Sequence, residues 1–206
     1  VFHNKEDLDH HHDDVVGMDG EHHHEDAEFV RSHAFKTHFL GANKELATSQ
    51  GVQRAGFYNY FLGNDESKWA SNVRRYGIVT QYNVYNDIDL KVYSKEVHLK
   101  YDFIVHPKAD VSQIRLQHEG VDAVSLKDGK LVVRTSLGEI VENKPYAYQT
   151  MRDGAIKEVA CEYALNDGVV TFVFPNGYDQ KKELVIDPVL VAATLSGSTA
   201  TNYGHS

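Results

Sequence analysis

The chain has 206 residues, 41% of them apolar and 25% charged, with a formal net charge of −9. A domain of this length buries roughly 70% of the surface its unfolded chain exposes, so a substantial core is within reach. A mean hydropathy of −0.46 and the lack of any apolar run near the roughly 20 residues of a spanning helix exclude helical membrane insertion; one cysteine, Cys161, excludes an internal disulfide and a cysteine-built zinc site.

The charge is concentrated at the start. Residues 1–28 hold ten acids and a single base, Lys5, and the rest of the chain is electrically balanced. An acidic head on a neutral body repels phosphate, so nucleic acid is not an expected partner. The head also carries seven of the 13 histidines: His3 and the triplets His10-His11-His12 and His22-His23-His24. Large aliphatics are few there, and the segment reads as an inserted loop or tail that builds no core of its own.

From residue 29 onward the pattern is β. Phe35, Thr37 and Phe39 alternate with Lys36 and His38. Asn43 to Gln50 would make one or two helical turns. Tyr76 to Tyr85 is rich in β-branched and aromatic residues, which suit a pleated sheet. Ile88, Leu90 and Val92 alternate with polar neighbours, and so do Val97, Leu99, Tyr101, Phe103 and Val105. That period of two marks strands with one buried face, joined through Ser94-Lys95-Glu96 as a hairpin. Asp128-Gly129 and Asp167-Gly168 supply the positive φ of tight hairpin turns between apolar runs. The four prolines, Pro107, Pro145, Pro175 and Pro188, fall where strands should end or pause. The expected fold is all-β: an antiparallel sandwich-like or multi-sheet domain with many short hairpins and a His/Asp-rich inserted loop. Residues 1–28 are the insertion after a first strand, 29–191 a single domain, and 192–206 a linker or the start of a further repeat.

Several motifs, in order, give the chain a resemblance. They are Asn59-Tyr60-Phe61-Leu62-Gly63-Asn64-Asp65 with Lys68-Trp69, Tyr82 to Leu90, Leu99 to Val105 followed by Pro107-Lys108-Ala109-Asp110, Pro145 to Gln149, and Leu184 to Leu190. Together they resemble the uncharacterised N-terminal domain found ahead of SBBP-type β-propeller repeats in large secreted and surface proteins of Bacteroidetes. Ala193 to Ser198 and Tyr203-Gly204 resemble the start of the first such repeat. The resemblance covers about residues 28–206, and the His/Asp-rich head departs from it. It implies an extracellular or outer-surface protein, cargo of the type IX secretion route. Its implied partners are the following repeats and a cell-surface or secretion-machinery protein. It implies no catalytic residues.

Residue by residue, the head is the most distinctive chemistry. Imidazole and carboxylate suit zinc or a similar divalent ion. His10, His11, His12, Asp13, Asp14, His22, His23 and His24 are the candidate ligands, with two from each triplet converging across a turn at Gly17 to Gly20. A solvated acidic loop is the competing reading, and no cofactor is required. Asn64-Asp65-Glu66 and Asn86-Asp87-Ile88-Asp89 offer oxygen ligands for calcium, against simple turn capping. Trp69 with Tyr58 and Tyr60 would form a sugar-stacking platform, against a plain core role. No His-Glu-x-x-His or Gly-x-Ser-x-Gly string occurs, and Cys161 lies inside an expected strand. The sequence therefore points to a non-enzymatic structural or adhesive module. A metal-binding module and a glycan-binding domain are the alternatives.

Overall fold

The computed structural model describes residues 2–3, 31–95, 98–188 and 190–193, with side chains over 31–94 and 99–188. Within these residues the chain is all-β apart from two three-residue 3-10 turns, Glu66–Lys68 and Val111–Gln113. The strands in chain order are β1 (Phe2–His3), β2 (Ser32–His33), β3 (Lys36–Phe39), β4 (Ala47–Tyr60), β5 (Ala70–Tyr85) and β6 (Ile88–Lys95). Then come β7 (His98–Val105), β8 (Leu116–Glu119), β9 (Ala123–Lys127), β10 (Lys130–Thr135), β11 (Gly138–Glu142) and β12 (Tyr146–Thr150). The last five are β13 (Ile156–Val159), β14 (Glu162–Asn166), β15 (Val169–Val173), β16 (Leu184–Asp187) and β17 (Leu190–Ala193).

They form three antiparallel sheets and a short β1–β2 ribbon. The largest sheet has seven strands in the order β13-β12-β16-β7-β6-β5-β4. Two four-stranded sheets run β17-β11-β10-β9 and β14-β15-β8-β3. Most neighbours are hairpin partners, set by local turns. At Asp128-Gly129 the φ angles are +52° and +75°, and at Asp167-Gly168 they are +49° and +75°. These are the left-handed pairs that let a two-residue loop match the twist of its strands. Each proline falls beside a strand end: Pro107 after β7, Pro145 before β12, Pro175 after β15 and Pro188 after β16.

The core lies where the three sheets face one another. Ile88, Leu90, Phe103, Val105, Ala147, Leu184 and Ile186 line the inner face of the large sheet. Leu131, Val133 and Ile140 meet them from the second sheet, and Leu116, Tyr163, Val170 and Phe172 from the third. Phe103, fully buried, sits at the junction, with the rings of Phe39, Tyr101 and Phe172 at 5.9–6.0 Å. One polar contact joins all three sheets. The Glu142 carboxylate of β11 accepts from the Tyr101 hydroxyl of β7 at 3.5 Å and the Tyr163 hydroxyl of β14 at 3.2 Å. Burial pushes the Glu142 pKa up, against the two hydroxyls that lower it.

The expected helical turns at Asn43 to Gln50 do not form: from Ala47 onward the backbone is β4. Small and polar residues there carry no apolar period, but the cross-strand ladder with β5 overrides their local preference. The β6–β7 hairpin extends through the pair Lys95↔His98, so its turn lies later than Ser94 to Glu96. Leu99 remains 67% exposed, because this end of the hairpin runs past the core. The expected strand at Ala34 to Leu40 is β3, and Phe2–His3 pairs with Ser32–His33. At the other end β17 continues the second sheet as far as Ala193, with Ala192 and Ala193 opposite Val141 and Ile140.

Candidate functional site

β4 and β5 are much longer than their neighbours, and only their base belongs to the body. In β5 the stretch from Gly77 to Tyr85 contributes buried residues, Val84 and Tyr85 among them. Residues 52–57 and 70–75 are exposed on both faces of the ribbon. From the Gln53–Tyr76 row to the Tyr60–Ala70 row the ribbon spans up to about 20 Å at the usual rise per residue, before the loop at its end. It forms an arm at one edge of the seven-stranded sheet, β4 having β5 as its single sheet neighbour among the described residues.

The loop at the end of the arm is closed by its own side chains. Asp65 accepts from the Ser67 backbone N–H at 3.2 Å and its hydroxyl at 2.6 Å, and Lys68 lies 3.1 Å from the same carboxyl group. The Ser67 hydroxyl and the Lys68 ammonium hold the Asp65 pKa below the usual carboxylate value. The Trp69 indole N–H donates to the Gly63 carbonyl at 3.1 Å, and its ring meets Phe61 edge-on at 5.4 Å. Trp69 thus clamps the loop while staying partly in solvent. Two bulges shape the shaft. One lies between Arg54 and Phe57, with Gly56 at φ +83°. At the other, Asn72 takes φ +58° and its N–H donates to the Asn59 side chain at 2.9 Å.

The cross-strand register decides what shares a face. Arg54 stands opposite Arg75, Tyr58 opposite Val73 and Tyr60 opposite Ala70. The Arg75 guanidinium lies 5.2 Å from the centre of the Tyr58 ring, and Tyr58 and Tyr60 are 6.2 Å apart. Arg54 leans over Gly77, where a Cβ would meet its Nε at 3.0 Å. Like charges directly opposite one another destabilise a ladder. Among the described residues no carboxylate pairs with Arg54, Arg74 or Arg75.

All three sequence-predicted stacking residues therefore lie on the arm. Tyr58 and Tyr60 adjoin along the shaft, and Trp69 closes the loop against Phe61. The arginines and the exposed Phe57 and Leu62 were not anticipated as site residues. A signal existed: no acidic residue occurs between Glu45 and Asp65, nor between Glu66 and Asp87. The metal-ligand candidates His10, His11, His12, Asp13, Asp14, His22, His23 and His24 lie outside the described residues. Among the described residues no group of three or more His, Cys, Asp or Glu side chains is placed to hold a metal ion. Asp65 spends its oxygens on its own turn, and Asp89 accepts from the Asn83 N–H at 2.8 Å and contacts His106 Nε2 at 2.9 Å.

A second polar cluster covers the outer face of the large sheet. Lys100 Nζ sits 2.9 and 3.0 Å from the two Asp187 oxygens, and the Tyr93 hydroxyl donates to Asp102 at 3.1 Å. Burial, reinforced by the charge of Asp187, raises the Asp102 pKa. Each carboxyl group has its own donor, an arrangement that satisfies buried charge. Cys161 is buried, and burial pushes its thiol up to about 12, which leaves it protonated and a poor nucleophile.

No curated protein and no solved structure matches this chain. One family does, over residues 1–189, a span that takes in the head, the arm and all three sheets as far as β16. The chain belongs to the family described as Domain of unknown function (DUF7948).

Proposed function

We propose that the chain is a non-enzymatic structural or adhesive module of an exported multidomain protein, and that it meets its partner through the β4–β5 arm. The observation that carries this reading is the arm itself. Its outer half has both faces in solvent and displays Phe57, Tyr60, Phe61 and Leu62, Leu62 being 74% exposed. Several large apolar side chains left in solvent on one projecting element suit a contact site. A two-stranded ribbon alone is marginal in water, so an arm of this length gains from being covered. The extracellular setting, and partners among following repeats or surface proteins, rest on the motif resemblance.

The test is an arm-shortened variant in which residues 54–75 are replaced by Asn-Gly, joining Gln53 to its cross-strand partner Tyr76. Full chain and variant are applied to surfaces coated with matrix protein, mucin, and acidic or neutral polysaccharide, after far-UV circular dichroism has shown both to be folded. The full chain is expected to be retained on at least one surface and the variant to lose that retention. Equal retention of the two, or none of either, refutes the reading.

A further inference from the structure

We infer that the Arg54/Arg75 face of the arm is a binding site for an acidic polysaccharide, one bearing carboxylates on its sugar rings; the inference rests on the arm being the contact element. Three features of one ribbon face point to this chemistry. Arg54 and Arg75 stand side by side across the ladder, with no carboxylate on the shaft to separate them. Their guanidiniums lean apart, Arg54 over Gly77 and Arg75 beside the Tyr58 ring, so each fork can take a separate carboxylate of one polymer by charge-assisted hydrogen bonds. Further along the same face, Tyr60, 45% exposed, adjoins Tyr58 with the Arg75 guanidinium beside it, an amphipathic surface of the kind a sugar ring packs on. The Arg54–Arg75 and Tyr60–Ala70 rows are at most about 17 Å apart at strand rise, so an extended polymer lying along the arm meets both. Gly77 leaves Arg54 room to lie flat against the ribbon, since a Cβ there would make the guanidinium shift by a few tenths of an ångström.

Other occupants fit less well. A nucleic-acid strand is held through many phosphates and calls for a broad basic footprint, whereas this face of the arm offers two arginines. A bilayer would meet Asp65 and Glu66 of the end loop first. A second copy would set arginine against arginine.

The experiment uses the full chain and polygalacturonate, with dextran, double-stranded DNA and anionic lipid vesicles as comparators, in affinity electrophoresis at about 0.15 M salt. Retardation by polygalacturonate and not by dextran is expected. Arg54→Gln with Arg75→Gln should weaken it at least about tenfold, the equivalent of losing one charge-assisted hydrogen bond. Tyr58→Ala with Tyr60→Ala should weaken it several-fold, and Lys127→Gln, on β9 in another sheet, should leave it unchanged. The arginines are exposed, so the double Arg→Gln variant is expected to melt with the parent; if it does not, Arg54→Lys with Arg75→Lys replaces it, and unchanged binding by that pair counts against fork recognition. The inference is overturned by no retardation, by equal retardation of the double Arg→Gln variant, by a loss with Lys127→Gln as large as that of the double variant, or by DNA or vesicles binding as tightly as polygalacturonate. Arm-dependent retention on protein surfaces with no binding to polygalacturonate would overturn this ligand assignment and leave the arm reading standing.

Discussion

Glu142 is the residue whose loss should be read most clearly in stability. Its carboxylate on β11 takes hydroxyls from Tyr101 and Tyr163, one from each of the other two sheets. Burial raises its pKa. A carboxyl group with a higher pKa in the fold than in the unfolded chain binds its proton more tightly when folded. Its contribution is complete below the unfolded value of about 4.3 and is lost as pH rises through the folded value. Wild-type stability should therefore carry a component that falls between acid and neutral pH, and Glu142→Gln should remove that component and be at least as stable as wild type at pH 7.5. Tyr163→Phe acts in the opposite sense. At a pH high enough to ionise the group it leaves a buried anion with the longer 3.5 Å contact to Tyr101, at a cost of about 1.5–3 kcal/mol, the range for hydrogen bonds to charged groups. For a chain of this size that lowers Tm by roughly 3–10 °C. At pH 4, below the unfolded value of about 4.3, or in the Glu142→Gln background, the cost should drop to about 1 kcal/mol, that of a neutral pair. Urea unfolding followed by far-UV circular dichroism suits the test, since Trp69 sits on the exposed arm and reports poorly on the core. A Tyr163→Phe cost that is the same at both pH values and in both backgrounds would refute the reasoning.

Three further outcomes are expected. Phe103→Ala, at the meeting point of three sheets, should cost about 3–5 kcal/mol in denaturant unfolding; a loss under about 1 kcal/mol would mean that the junction collapses to fill the space. Lys100→Met strips the cation from Asp187 beside Asp102 and should cost between the ~1 kcal/mol of exposed pairs and the ~3–5 kcal/mol of buried ones. That loss should shrink as the pH falls and Asp102, whose pKa burial raises, takes up its proton, and a pH-independent loss would show that Lys100 acts through its alkyl stem. The full chain should bind zinc in calorimetry, and the variant with His10, His11, His12, His22, His23 and His24 all changed to Gln should not; equal titration of both, or none, removes the metal reading.

The all-β class was legible because β signals are local. Alternation from Ile88 to Val105 and the Asx-Gly pairs needed nothing beyond a few residues of context. Sheet order was not local. β16 slots between β7 and β12, far from either in sequence, and no turn chemistry announces that placement. Glu142 closes a strand whose other positions alternate ordinarily, and its role exists only once Tyr101 and Tyr163 arrive from other sheets. The arm escaped for a different reason. A ribbon exposed on both faces has no buried side, so residues 52–57 and 70–75 carry no period of two to read. Tyr58, Tyr60 and Trp69 could be singled out by type, but the Arg54–Arg75 pairing is a matter of register, and one residue of slip would separate them.

The energetics of the arm also limit how it can work. Phe57, Phe61 and Leu62 are 53%, 57% and 74% exposed. Covering such side chains fully is worth about 1.5–3 kcal/mol each, so what remains to be gained from the three is roughly 3–6 kcal/mol. Association alone costs an estimated ~4 kcal/mol or more. Apolar contact through one arm therefore comes close to cancelling, and affinity must come from the paired guanidiniums or from many arms acting together. A repeating acidic polymer answers both needs, since each chain offers successive anions and can engage several molecules. Monovalent oligosaccharides should accordingly bind weakly, and a surface displaying many copies of the chain should hold the polymer far more tightly than the single-site affinity predicts. Equal affinity for a short acidic oligosaccharide and for the polymer on such a surface would show that one arm suffices, and that the apolar residues near its end contribute more than their exposed area allows.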